Sequence, residues 1–196
     1  MRSFRLRLLL GSVLWTLALL AVQRASTERG LKSGTLPRRV LYFGSMSYEL
    51  IDVTTESDWR EYHSLRRRVL WEQRGLTNYD ETHADEYKAA HHPLLLKLFG
   101  RAIGTARLDD FGNNTGAVRL VAIERDLQRQ GHGRVLSEYI ENYARGLGIK
   151  TLYLNAVPEA IGYYEKLGWK PYVWDETELV GIASACRQMS KQLSRC

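Results

Sequence analysis

Cysteine is almost missing from this chain. The two present, Cys186 and Cys196, lie near the C-terminus and form no Cys-x-x-Cys pair. That excludes a disulfide framework and the common zinc spacings, and points to a reducing compartment. Internal repeats and low-complexity tracts are absent as well. The apolar run from Leu8 to Val22 has 15 residues, short of the roughly 20 that a spanning helix wants. Positive charge is missing where it would matter for nucleic acid. The chain carries +6, but residues 1–45 hold +7 of it and residues 46–196 come to −1. A nucleic-acid footprint needs basic charge on the folded surface, so no nucleic-acid partner is expected.

What is present divides into two parts. Residues 1–45 form a basic and apolar segment followed by linker-like sequence at 24–45; residues 46–196 form one domain. "RLRLLLGSVLWTLALLAV" at 5–22 has the arginine-rich start and apolar stretch of a signal peptide, without a clean Ala-x-Ala site. A signal-anchor, an organelle transit peptide, or upstream sequence ahead of a true start at Met46 fit the same composition. A cytoplasmic protein is expected, with membrane anchoring or export as the alternative if residues 5–22 are retained.

Within 46–196, "YELIDVT" (48–54) alternates as a strand does. Thr55 and Asp58 form a capping box for a helix running to about Gln73, with Trp59, Tyr62, Leu65, Val69 and Leu70 along its apolar side. The polar stretch 74–91 reads as loop with a short helix. "PLLLKLFG" and "AIGTARLDD" read as strands joined at Gly100-Arg101, and "FGNNTG" (111–116) as a second hairpin turn. A strand at 117–123, a helix from Gly133 to Ala144, a strand at 150–157 and a proline-led helix at 158–168 follow. Strands in "WKPYVW" and 178–191 close the chain. The order β-α-ββ-β-α-β-α-β-β is α+β.

Between the 117–123 strand and its helix lies "RQGHGRVL", residues 129–136. A dinucleotide fingerprint needs a third glycine where Leu136 stands, and a Walker loop needs Gly-Lys-Ser/Thr where Gly133 is followed by Arg134. A glycine turn entering a helix still suits a pyrophosphate, because the free amides and the helix dipole face an anion there. The same glycines also serve a plain tight turn.

Context separates these readings. Gln128, Gly131 and Gly133 match the Gln/Arg-x-x-Gly-x-Gly/Ala motif of the GNAT N-acetyltransferase superfamily, directly after the strand "VRLVAIE". Asn155, Ala160 and "YYEKLGW" (163–169) match its second signature. The chain resembles that family over roughly 48–191, and "LRRRVLWEQ" (65–73) resembles ElaA-like members. Trp169 and Tyr163 stand where phenylalanine is usual. The resemblance implies the GNAT acyl-CoA N-acyltransferase fold, a mixed central sheet flanked by helices.

It further implies acetyl-CoA as co-substrate, with no metal. Backbone amides from Arg129, Gln130, Gly131, His132, Gly133 and Arg134 would hold the pyrophosphate, flanked by Gln128, while Asn155 belongs to the second signature. The strand Val121-Ala122-Ile123 would splay from 151–155 and pair with the pantetheine by strand addition. Tyr164 would act as general acid to the departing sulfur, and the Ile123 amide would polarise the carbonyl. For the base, Glu124 and Glu72 are candidates beside a water-relayed base or none. The acceptor is a primary amine on a small molecule, peptide or protein; a non-catalytic acyl-CoA-binding module is the alternative, and a homodimer is open.

Two side readings complete the expectations. "NYDETHADEYKAAHH" (78–92) matches no metal template and reads as a solvated acidic loop whose charge favours a cationic acceptor. His132, between the glycines, is expected to point outward. Asn113-Asn114-Thr115 is formally a glycosylation sequon, which a hairpin turn explains equally well.

Overall fold

The computed structural model describes residues 39–43 and 46–194. The segment 5–22, and with it the signal or anchor reading, lies outside the described residues. So does most of the linker, but Arg39–Phe43 is strand β1, paired antiparallel with β2 (Met46–Asp52). Residues 39–43 therefore belong to the sheet, a correction to their reading as linker. The run "RVLYF" has the β-branched and aromatic content that suits a pleated surface.

Thr55 caps α1 (Glu56–Arg66): its side chain accepts a hydrogen bond from the Asp58 amide, as the capping box requires. The helix does not stop at Arg66. It loosens into a π turn at Arg67–Trp71 and tightens into a 3-10 turn at Glu72–Arg74, where Gly75 ends it with φ +72°. Its expected end near Gln73 holds, though its last turns are irregular. A 3-10 turn at Ala84–Tyr87 interrupts the loop that follows.

Strands β3 (His91–Leu98), β4 (Arg101–Gly112) and β5 (Thr115–Ile123) form an antiparallel meander. The first hairpin turns on Phe99 and Gly100, one residue earlier than the sequence suggested, and the second on Asn113 and Asn114. All four have positive φ, the backbone that two-residue hairpins prefer because it matches strand twist. Helix α2 (His132–Gly146) leads to β6 (Thr151–Ala156), and α3 (Ile161–Lys166) to β7 (Lys170–Pro171) and β8 (Arg187–Gln192). Residues 176–183 hold two 3-10 turns instead of the early part of the expected 178–191 strand.

The strands lie in the order β1-β2-β3-β4-β5-β6-β8-β7, antiparallel except for β5 beside β6. Both faces are covered, as β3 records. Leu94 and Leu96 join the core under α2, with Leu136, Ile140 and Leu152; Leu95 joins Tyr62 of α1 on the other face. All three leucines are fully buried, the outcome of a period-two strand sandwiched between helices.

Candidate active site

The parallel ladder between β5 and β6 is short. It pairs Thr115 with Thr151, Gly116 with Leu152 and Ala117 with Tyr153, then ends, although β5 runs on to Ile123 and β6 to Ala156. A bulge accounts for the parting. Thr105 pairs with Ala122 and Arg107 with Arg119, so two residues of β5 oppose one of β4, and Leu120 takes φ +53°. An extra residue bends a strand and increases its local twist. Here it carries the end of β5 away from β6 and opens a notch, in agreement with the expected splay. The Glu124 amide donates to the Ile103 carbonyl on the β4 side at 2.8 Å. Successive amides in an extended chain point to opposite edges, so the Ile123 amide points towards β6. Val121 packs on the α2 side, and Ala122 lies under Leu65 of α1 and Val69 of the π turn that follows it.

Beyond β5 the chain makes a 3-10 turn at Arg125–Leu127, and the Gln128 side-chain amide folds back to donate to the Ile123 carbonyl at 3.0 Å. Gln130 donates in the same manner to the Asp126 carbonyl. The next stretch alternates in hand: Arg129 has φ +61° and Gly131, the N-cap of α2, φ +92°. The Gly131 carbonyl accepts from the amides of Arg134 and Val135. Among the described residues, the amides of Arg129, Gln130, Gly131, His132 and Gly133 have no acceptor, and no side chain caps the helix. Five successive free amides at a helix N-terminus form an anion-binding nest. The nest and the unpaired β5 edge fit a long ligand with a diphosphate at one end and amides along its arm.

The two glycines do different work. Gly131 supplies the left-handed backbone. A Cβ on Gly133 would stand 3.1 Å from the Tyr163 hydroxyl, which bonds Ser137 at 3.0 Å. Gly133 thus lets α3 seat against the start of α2. His132 corrects the expectation that it points outward: it is buried, and its Nδ1 lies 2.7 Å from the Tyr48 hydroxyl. The side chain anchors the nest to β2 while its amide stays free. Arg134 is exposed and paired with Glu138, one helical turn along.

Tyr164 is half-buried between Tyr163 and Trp169. Burial raises its pKa well above the ordinary phenol value, so it keeps its proton. Asn155 accepts from Gln188 across the β6–β8 pair. Glu124 is held by Arg68 at 2.7 Å, and its carboxylate is 16% exposed. Glu72 is exposed in the 3-10 turn. No hydrogen bond or ion pair among the described residues joins these two candidates.

The acidic loop is exposed over most of its length, as expected, with Glu86 the exception. Glu86 is 5% exposed and accepts from Tyr62, Arg66 and Arg107. Arg107 grips Asp109, which Arg119 also binds, and Arg119 grips Glu178. Asp80, Glu81 and Asp85 are engaged by Thr82, Arg67 and Lys88. Glu81 and Asp85 thus have counter-charges within the protein, while Asp80 is bonded only to Thr82. This chain of ions escapes a reading of motifs, although Arg107-x-Asp109 in an apolar strand puts both charges on one face, and that spacing is a signal. Among the described residues no cluster of three metal-ligating side chains occurs, and no helix is long and apolar enough to cross a membrane.

A model of the acetyltransferase (GNAT) family matches residues 53–169. The chain belongs to this family. A Bacillus subtilis protein bearing a provisional acetyltransferase name is 29% identical over 121 residues, 60% of this chain and 80% of that protein. The crystal structure of Escherichia coli ElaA superposes with a TM-score of 0.59 at 15% identity, covering 75% of this chain and 99% of ElaA. N-acetylglutamate synthase from Neisseria gonorrhoeae, solved with coenzyme A and N-acetyl-glutamate, gives a TM-score of 0.60 at 19% identity. There 76% of this chain matches 35% of the larger one. The match identifies this GNAT chain as an acyltransferase with the family's fold.

Proposed function

We propose that this GNAT protein moves the acetyl group of acetyl-CoA to a primary amine by direct attack. The observation that carries the reading is the run of free amides from Arg129 to Gly133 beside the unpaired edge of β5. Bound acetyl-CoA would supply an activated thioester. The nest would hold the diphosphate, and the edge Val121–Ile123 would hydrogen-bond the pantetheine arm as an added strand. Pre-aligning amine and thioester supplies much of the acceleration.

The Ile123 amide, directed into the notch, donates to the carbonyl oxygen as charge builds there. The amine nitrogen bonds to the carbonyl carbon, the carbon–sulfur bond breaks, and the Tyr164 hydroxyl donates its proton to the departing sulfur. The proton lost by the amine restores the phenol. Glu124, drawn to Arg68, serves better as a fixed charge at the strand end than as a strong base. A cytoplasmic, thiol-reducing setting goes with this reading.

The test is coenzyme A release from acetyl-CoA across a panel of primary amines, from small molecules to peptides. Turnover with at least one amine that falls in Tyr164→Phe at unchanged coenzyme A affinity is expected. Tight coenzyme A binding with no turnover on any amine would overturn the transferase reading in favour of a binding module.

A further inference from the structure

Strand β8 carries a buried amide to which the transfer chemistry gives no role. Gln188 is 3% exposed, and its side chain is bonded at both ends. Its oxygen accepts from the backbone amides of Trp174, at 2.9 Å, and Asp175, at 3.0 Å. Its nitrogen donates to the Asp175 carbonyl, at 2.6 Å, and to Oδ1 of Asn155, at 3.1 Å. These bonds use the full capacity of a carboxamide. A backbone N–H only donates, so the amides of Trp174 and Asp175 decide which end of Gln188 is the oxygen.

That polarity is passed on to Asn155. The Gln188 nitrogen needs an acceptor, so Asn155 turns Oδ1 towards β8 and Nδ2 away from it. Leu152, Leu154 and Ala156 of β6 lie in the core under α2, which places Tyr153 and Asn155 on the other face. Tyr153 makes the last rung to β5, and Asn155 stands beyond it, so the strand edge on the Nδ2 side is the notch. Among the described residues, Nδ2 has no hydrogen-bond partner. The loop that sets Gln188 is itself fixed to β6. The Trp174 ring lies nearly parallel to Tyr153, with centroids 5.4 Å apart, and its N–H donates to the Leu154 carbonyl at 3.4 Å.

We propose that Gln188 is a positioning residue, acting through Asn155 to make the β6 wall of the notch a hydrogen-bond donor. The wall then favours a carbonyl oxygen, such as the pantetheine arm of coenzyme A carries, and opposes an N–H at the same point. With the Ile123 amide on β5, the notch offers donors from both strands. The inference rests on coenzyme A binding in the notch, as read above, and not on the transfer step.

Coenzyme A affinity of the full chain, measured by calorimetric titration over a double-mutant cycle, tests it. Asn155→Ala deletes the donor and should weaken binding about three- to tenfold. Gln188→Glu keeps an oxygen for the two loop amides and replaces the nitrogen by a second oxygen. Asn155 then turns Nδ2 to that carboxylate and sets Oδ1 against the ligand carbonyl, so binding should weaken beyond the loss in Asn155→Ala. Adding Asn155→Ala to Gln188→Glu removes the opposed oxygen and should raise affinity back to that of Asn155→Ala alone. A purely structural role for Gln188 predicts the reverse, a double variant weaker than either single one. If the buried carboxylate unfolds the protein, Gln188→Met completes the cycle, and its loss should vanish in the Asn155→Ala background. The inference is overturned if either single variant binds as tightly as the unaltered chain, or if the two losses multiply. Tight binding with coenzyme A release from no amine would sink the transfer reading and leave this one standing. An unaltered chain that binds no coenzyme A would overturn both.

Discussion

His132 and Tyr48, 84 residues apart, share a buried hydrogen bond of 2.7 Å. It joins the second position of the glycine turn to the strand at the far side of the core, so the shape of an anion nest depends on a hydroxyl in β2. Tyr48→Phe removes that hydroxyl from the histidine and should cost about 1–3 kcal/mol of stability, the penalty of a buried polar group losing its partner. Coenzyme A affinity, followed by titration calorimetry, should fall with it, while a purely local packing role would leave affinity unchanged.

Gly131 has φ +92° and open space where a Cβ would point. Gly131→Ala therefore acts through the backbone alone, with a strain of about 1–2 kcal/mol. Relief of that strain turns the nest amides away, so coenzyme A affinity should drop about tenfold or more. Gly146→Ala, near the end of the same helix and also free of contacts, is the comparison. It should leave affinity intact and stabilise the fold by about 0.5–1 kcal/mol. Equal affinities in the two variants would remove the nest from the binding argument.

The Tyr164 phenol is held above its ordinary value of 10.0 by burial. Its proton is therefore present throughout the neutral range, and loss of that proton begins only at strongly alkaline pH. The pH–rate profile should show no falling limb from this group below about pH 10. Tyr164→Phe should lower kcat with little change in the Kd for coenzyme A. An alkaline limb near pH 8 that disappears in Tyr164→Phe would contradict the burial argument.

Burial alone would raise the Glu86 carboxyl, but the hydrogen bond and charge of Arg66, with the charge of Arg107, outweigh it and hold it below its ordinary value of 4.5. A carboxyl depressed in the folded state contributes stability that is complete above its unfolded value and lost as pH falls through the folded one. Chemical denaturation should accordingly show a drop below about pH 4.5 that Glu86→Gln lacks. Glu86→Ala leaves the buried Arg66 without its carboxylate, while Arg107 keeps Asp109, and should cost about 3–5 kcal/mol at neutral pH.

The parts of the site carried by short-range chemistry were legible in the sequence. Gly131 and Gly133 announced a tight turn at a helix start, Thr55 and Asp58 announced a cap, and the notch followed from the family likeness of residues 128–133 and 155–169. What depended on distant partners was not. The inward turn of His132 needs Tyr48, and the burial of Glu86 needs Arg66 and Arg107, which lie 20 and 21 positions away. One acid of an exposed stretch looks as solvated as the rest until its counter-charges are found on a neighbouring helix and strand. The pairing of Arg39–Phe43 was likewise hidden, because a strand at a sheet edge is specified by the edge it joins as much as by its own residues.

The short β5–β6 ladder has a mechanical corollary. Three rungs stitch the wing β6-β8-β7 to the body of the sheet, so that seam is a weak line through the hydrogen-bonded framework. Amide exchange should run faster across the wing than in β3, β4 and β5, and any molecule lodged in the notch would act as a rivet between the two plates, slowing exchange on both sides of it.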